Sequence, residues 1–438
     1  MRRIIKTVLA SALLLCLTGC SGKPDGPPAQ KGGEAALDAA EAEALKEANA
    51  GASDLRKYIE IKETSEGEES SEAGTESPAA SEAKEPEETE TAEDTEAVGD
   101  GSTGPREYLK TEFAPEAVKG IYVSAWAMGT KKIREENFLS HMDGTELNTI
   151  VFDVKDDEGR VVFETDSPMV TEAGSVRMAL ADLPGMIGVL HDRGIYTIGR
   201  LVAFRDPYIR ETKKEWVLKN PDGSVYTDDK GNSWIDPANE EACSYLLEVA
   251  RDCAENGIDE IQFDYVRYPS AVTDEMAGRD GKGRQEAVLG FAKRCREEFE
   301  EIGIPFSLDV FGTVISSETD SDIIGQDYRN LTLAADAISP MVYPSHYADG
   351  SFGIKYPDME PGETVYQSLM KSNHLLEGEH VNVRPWLQDF TADYLEHYRE
   401  CGPEEVREQI EAVYKCGMTE WLIWDPSGHY SWDAFEKE

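Results

Sequence analysis

Gln262-Phe263-Asp264-Tyr265-Val266-Arg267-Tyr268-Pro269 alternates polar and aromatic side chains and stops at a proline. In a β-strand neighbouring residues point to opposite faces, so Gln262 and Asp264 share one face while Phe263 and Tyr265 share the other. Such a strand suits a wall between a polar interior and an apolar packing layer. Seven further runs flank it, at 120–126, 149–155, 196–204, 306–312, 337–343, 383–388 and 420–424; the quoted stretch lies in the fourth run, 260–268. Most are β-branched or aromatic-rich and nearly continuously apolar, as strands covered on both faces must be, and they recur at intervals of roughly 40 residues.

Helical patterns fill the intervals. Tyr245, Leu246, Val249, Ala250 and Cys253 share one helical face, as do Val288, Phe291, Cys295 and Phe299, and again Val406, Ile410, Val413 and Tyr414. Asp236-Pro237 predicts the start of the first of these helices, a cap followed by proline at the first helical position. Arg193-Gly194, Asn256-Gly257 and Cys416-Gly417 predict helix ends just before strands. Eight strand–helix units, with no Gly-rich dinucleotide fingerprint after any strand, predict an α/β fold of the (β/α)8 TIM-barrel class. Such barrels carry their chemistry at the C-terminal ends of the strands. Residues 216–234 predict a long loop over that mouth, between the third strand and its helix.

The chain opens with Arg2, Arg3 and Lys6, an apolar run over 7–17, and Leu17-Thr18-Gly19-Cys20. A basic head, a short apolar core and a small-residue processing site make a secretory signal, since a membrane span needs about 20 apolar residues. The last four residues resemble a bacterial lipoprotein processing box, which implies that Cys20 becomes the lipid-bearing first residue. Residues 1–20 are assigned to that signal, 21–115 to an acidic linker and 116–438 to the barrel. The linker is rich in Glu, Ala, Ser, Thr, Pro and Gly, and cannot bury enough apolar surface to offset its ordering entropy. It is expected to be a disordered stalk, extended by its own charge, that holds the barrel off the outer face of the cytoplasmic membrane. The net charge of -44 argues against a nucleic-acid partner, which would require a basic stripe. Cys243 and Cys253 share a predicted helix about 15 Å apart, too far to bridge. Neither a C-x-x-C pair nor a His cluster gives zinc spacing, so no metal or cofactor is expected, and the protein is expected to be a monomer.

Strand parity turns a polar set toward the barrel axis: Asp153 with Lys155, Arg200, Gln262 with Asp264, Ser307 with Asp309, Ser339 with Tyr343, and Trp386 with Gln388. Polar groups buried unpaired are costly, so this ring requires mutual pairing or a solvent-filled site. Two inward carboxylates on neighbouring strands can divide the labour of glycosidic cleavage. Asp264 and Asp309 are the candidate catalytic pair, Asp264 as ionised nucleophile or base and Asp309 as general acid. Arg200 or Arg267 would lower the pKa of the carboxylate it touches, and like-charge repulsion would raise that of its partner. Asp153, Asp389 and Asp425 are rival acids, the last two fitting binding or loop-capping roles better. Tyr122, Trp126, Tyr265, Tyr343, Trp386 and Trp424 offer faces for sugar rings or for core packing. His346 and His429 stand where they could reach substrate hydroxyls.

The motif from Phe263 to Pro269, together with Gly120-Ile121-Tyr122-Val123, Phe152-Asp153-Val154-Lys155-Asp156, Asp309-Val310-Phe311-Gly312 and Met341-Val342-Tyr343-Pro344, resembles the bacterial "putative glycosyl hydrolase domain" family over roughly residues 118–432. The resemblance implies a sugar-directed hydrolase without naming its substrate. The expectation is a lipid-anchored glycoside hydrolase acting on a cell-wall or extracellular polysaccharide, with the membrane touched through the lipid alone. Substrate contacts are expected from Tyr122, Trp126, Asp153, Lys155, Arg200, Gln262, Tyr265, Arg267, Tyr343, His346, Trp386, Gln388, Asp389, Trp424 and Asp425. Two alternatives stay open: a non-catalytic carbohydrate-binding lipoprotein, and a metal-dependent polysaccharide deacetylase, for which the spacing shows no His/Asp set.

Overall fold

The computed structural model of the protein describes residues 109–437. The signal, Cys20 and nearly all of the linker lie outside the described residues. Ten strands form one sheet: β1 Lys119–Val123, β2 Thr149–Lys155, β3 Val161–Phe163, β4 Val176–Leu180, β5 Tyr196–Val202, β6 Glu260–Asp264, β7 Phe306–Phe311, β8 Ala337–Met341, β9 Trp386–Gln388 and β10 Trp421–Trp424. Eight of them, β1, β2 and β5 to β10, correspond to the eight expected runs and pair in parallel in chain order. β1 pairs with both β2 and β10, which closes the barrel. Helices surround it, and the fold is the expected (β/α)8 TIM barrel.

The wall sorts side chains as strand parity requires. Phe263 faces outward and packs edge-on against Phe291, Phe299 and Phe306, with centroids 5.3, 5.9 and 6.4 Å away. Phe291 and Phe299 belong to the long helix Gly281–Ile302, so this aromatic cluster fastens helix to strand. Helix Glu240–Glu255 buries the predicted face of Tyr245, Leu246, Val249, Ala250 and Cys253, but it starts later than Asp236-Pro237 suggests. Its cap is Asn239, whose side chain accepts from Ala242 N at 3.0 Å, while Asp236 holds the preceding turn through Ala238 N. Gly257 ends the helix at φ 91°.

β3 and β4 add to the eight runs. After β2 the chain reverses over Asp156, whose Oδ1 accepts from Glu158 N and Arg160 N at 3.0 and 2.9 Å. β3 pairs antiparallel with β2, and β4 lies parallel to β3. Gly159 in this turn has φ 75°, and the Asp206 carboxylate lies too close to its Cα for any Cβ. The loop expected at 216–234 is part of a longer excursion, 203–239, stitched by Arg205–Trp234 and Val217–Ile235 bridges. Below the barrel, Thr111 donates to Asp259 and the Phe113 ring stacks on His191 at 3.6 Å, so packing begins a few residues before position 116. The five described cysteines are free thiols.

Candidate active site

The registers Asp153–Arg200 and Arg200–Gln262 set β2, β5 and β6 side by side at the mouth. Arg200, fully buried, reaches three carboxylates. Its Nε and Nη2 donate to Asp264 Oδ2 at 3.0 and 2.7 Å, and its Nη1 to Asp153 Oδ1 at 2.6 Å and Asp157 Oδ2 at 3.0 Å. Burial alone would lower the guanidinium pKa, but Asp157, Asp264 and Asp153 together hold it well above its ordinary value. Tyr122 OH donates to the other oxygen of Asp153 at 2.6 Å, and burial raises the Asp153 pKa against the pull of Arg200. Asp157 is pulled the other way: burial raises its pKa, yet Arg200 and Arg205 bring it below the ordinary carboxylate value.

Asp264 ends β6, and the next residue, Tyr265, has φ 52°, a left-handed conformation that a bulky side chain rarely adopts. The turn brings Tyr265 N within 2.6 Å of Asp264 Oδ1, and Arg205 Nη1 donates to Tyr265 OH at 2.9 Å. Both Asp264 oxygens are thereby held. On β7, Asp309 Oδ1 accepts from Trp386 Nε1 at 2.8 Å. Burial, then the charge of Asp264, pushes the Asp309 carboxyl well above the usual range, against the Trp386 hydrogen bond. Burial, then the charges of Asp309 and Asp264, raises the Tyr343 phenol well above its ordinary value. Trp424 stacks on Tyr122 at 4.2 Å and meets Trp386 edge-on at 5.6 Å.

A cavity of about 970 Å³ opens over β1, β2 and β10, lined among others by Tyr122, Trp126, Asp153, Asp156, Asp425 and His429. Trp126 is 54 % exposed on its rim. Asp425 Oδ1 is held by Ser427, and burial raises its carboxyl to about 6; burial likewise raises Asp156 to about 6. His346 lies elsewhere on the mouth, edge-on to Tyr343 at 5.0 Å and lining a second cavity of about 300 Å³ with Phe311, Asp320 and Phe352.

Four expected contacts have other duties. Lys155 is sealed from solvent and paired with Asp206 at 2.9 Å, because the register shifts between Asp153 and Lys155 and carries it off the open face. Gln262, one pleat below Asp264, is fully buried and donates to Ser339 inside the barrel. Gln388 braces loops through Ser345, Asp358 and the Phe390 carbonyl. Asp389 is taken up by Ser431, whose N and Oγ each donate at 2.7 Å; burial raises its carboxyl to about 7. Trp386 reaches the site by its indole N–H, its rings being buried. Asp157, Arg205 and Trp234 belong to the site although strand parity does not single them out; Asp157 directly follows the Asp153–Asp156 motif, so the strand end itself was the available signal. Among the described residues no group of three or more His, Cys, Asp and Glu is placed to hold a metal ion.

Residues 120–430 match the family model described as "Putative glycosyl hydrolase domain". The chain belongs to that family. It therefore carries a glycosyl hydrolase-like domain, and the carboxylates at the mouth lie within the matched region. A hypothetical protein from Ruminiclostridium thermocellum is 32% identical over 43% of this chain and 97% of its own, with a TM-score of 0.39. The glycoside hydrolase domain of PgaB (BpsB) from Bordetella bronchiseptica is 12% identical over 71% of this chain and 95% of its own, at TM-score 0.51. A beta-galactosidase from Marinomonas ef1 is 12% identical over 70% and 54%, also at 0.51. The last two likenesses concern the fold alone. No curated protein matches the sequence.

Proposed function

We propose that the protein is a glycoside hydrolase of a cell-wall or extracellular polysaccharide, tethered through a lipid on Cys20 to the outer face of the cytoplasmic membrane. The observation that carries the reading is the unequal environment of two adjacent carboxylates. Asp309 is buried beside the charge of Asp264 and is pushed toward its protonated form, whereas Asp264 is forked by Arg200 and a backbone N–H. Asp309 then delivers its proton to the glycosidic oxygen while Asp264 meets the positive charge growing at the anomeric carbon. Tyr122, Trp424 and Trp126 supply rings for sugar faces.

A second assignment of the acid is favoured by the 970 Å³ cavity, which is lined by Asp425 and Asp153, and whose Asp425 carboxyl sits at about 6. Product release from a panel of cell-wall and extracellular polysaccharides, by wild type and by Asp264→Asn, Asp309→Asn and Asp425→Asn, separates these readings. Cleavage abolished in the first two variants and retained in the third supports the Asp264–Asp309 pair. Loss in Asp264→Asn and Asp425→Asn with retention in Asp309→Asn transfers the acid to Asp425. Binding without cleavage by wild type makes the domain a carbohydrate-binding module.

A further inference from the structure

We propose that Arg267 binds a carboxylate carried by the glycan, so that the substrate includes an acidic sugar; this rests on the glycoside hydrolase reading of the same site. Arg267 stands three residues after Asp264, beyond the left-handed turn at Tyr265, and is 5% exposed. Its guanidinium lies against three rings, 4.6 Å from Phe311, 4.8 Å from Trp234 and 5.3 Å from Tyr265. Nη1 donates to the Tyr268 carbonyl at 2.9 Å. Among the described residues Arg267 forms no ion pair and no other hydrogen bond, and its Nε and Nη2 are not sealed from solvent. Arg200, Arg205, Lys155 and Arg384, by contrast, each meet a carboxylate.

A buried cation without a counter-ion is expensive, and ring faces return only part of that energy. Burial indeed lowers the Arg267 pKa to about 10, although Tyr265 and Asp264 act the other way. The rings enclose the guanidinium without neutralising it. With Nη1 committed to the Tyr268 carbonyl, Nε and Nη2 are left as a side-on fork, the same edge that Arg200 turns on Asp264, and a fork of this kind fits a planar carboxylate. The missing counter-ion is thus a ligand group, delivered next to the catalytic pair.

Thermal unfolding of the full chain tests this with D-glucuronate, D-glucose and sulfate as probes at matched ionic strength, in wild type, Arg267→Met and Arg267→Lys. Glucuronate is expected to raise the wild-type Tm by about 2–4 °C at saturating concentration, and glucose to leave it unchanged. Arg267→Met should be at least as stable as wild type without ligand and show no response. Arg267→Lys, which keeps the charge but lacks the fork, should need about tenfold more glucuronate for the same shift. An equal response in wild type and Arg267→Met, or none in wild type, overturns the proposal, and sulfate matching glucuronate overturns the carboxylate assignment. The readout requires no turnover, so a failure to cleave any polysaccharide would sink the hydrolase reading without altering the binding result.

Discussion

The floor and the mouth of this barrel are built from the same kinds of residue and solve opposite problems. At the floor Glu260 accepts from Arg384 at 2.8 Å, Ser307 at 2.5 Å and Tyr196 at 3.1 Å, and Arg384 also meets Glu420 at 2.8 Å. Both glutamates there meet a cation, though they share the one guanidinium of Arg384. At the mouth one arginine serves three aspartates, a fourth aspartate is driven toward protonation, and another arginine has aromatic rings in place of an acid. A satisfied buried network stabilises and orders a fold, whereas one left short of partners is poised for a ligand or a proton.

Breaking the floor should have the largest effect on stability. Arg384→Met leaves Glu260 buried without its cation and should lower the unfolding free energy by about 3–5 kcal/mol in urea titration. A loss below about 1 kcal/mol would mean that Glu260 does not depend on Arg384 for its compensation. At the mouth the prediction reverses: Asp309→Asn should leave urea stability unchanged or higher while cutting polysaccharide cleavage by about 10²–10⁴-fold. Equal damage to stability at both ends would erase the contrast.

The pH dependence sharpens it further. The Asp389 carboxyl is raised to about 7 in the folded protein against about 3.9 in an unfolded chain, so the folded state holds the proton more tightly. Its stabilising contribution is full below about pH 4 and is lost as pH rises through about 7, with a slope of up to about 1.4 kcal/mol per pH unit. Asp389→Asn should flatten that slope in urea titrations between pH 4 and 7, and an unchanged slope would show that Ser431 keeps the group ionised. The smallest effect is expected at the rim. Trp126→Ala should raise KM about fivefold, near 1 kcal/mol, with the unfolding midpoint unchanged because the indole is mostly exposed.

How much of this was legible depended on periodicity. The eight barrel strands were readable because continuous apolar runs announce strands covered on both faces, and the inward set of Asp153, Arg200, Asp264 and Asp309 followed from alternation. β4 was not, since its middle residues are exposed and break the apolar pattern. Lys155 shows the limit of parity: a register shift of one strand against its neighbour removed it from the mouth and paired it with Asp206. Asp157, Arg205 and Trp234 lie past strand ends, where no repeat constrains the direction of a side chain.

The amino-acid sequence by itself determined the barrel and the inward direction of its strand-end aspartates, because hydrophobic period and strand parity are local properties of the chain. Only the tertiary structure decided that Asp264 is the carboxylate forked by Arg200, that Asp309 is the one driven toward its proton, and that Arg267 lacks an acid. Those assignments depend on which charges meet across strands distant in sequence, and Coulomb energies and desolvation are set by distance and burial in space.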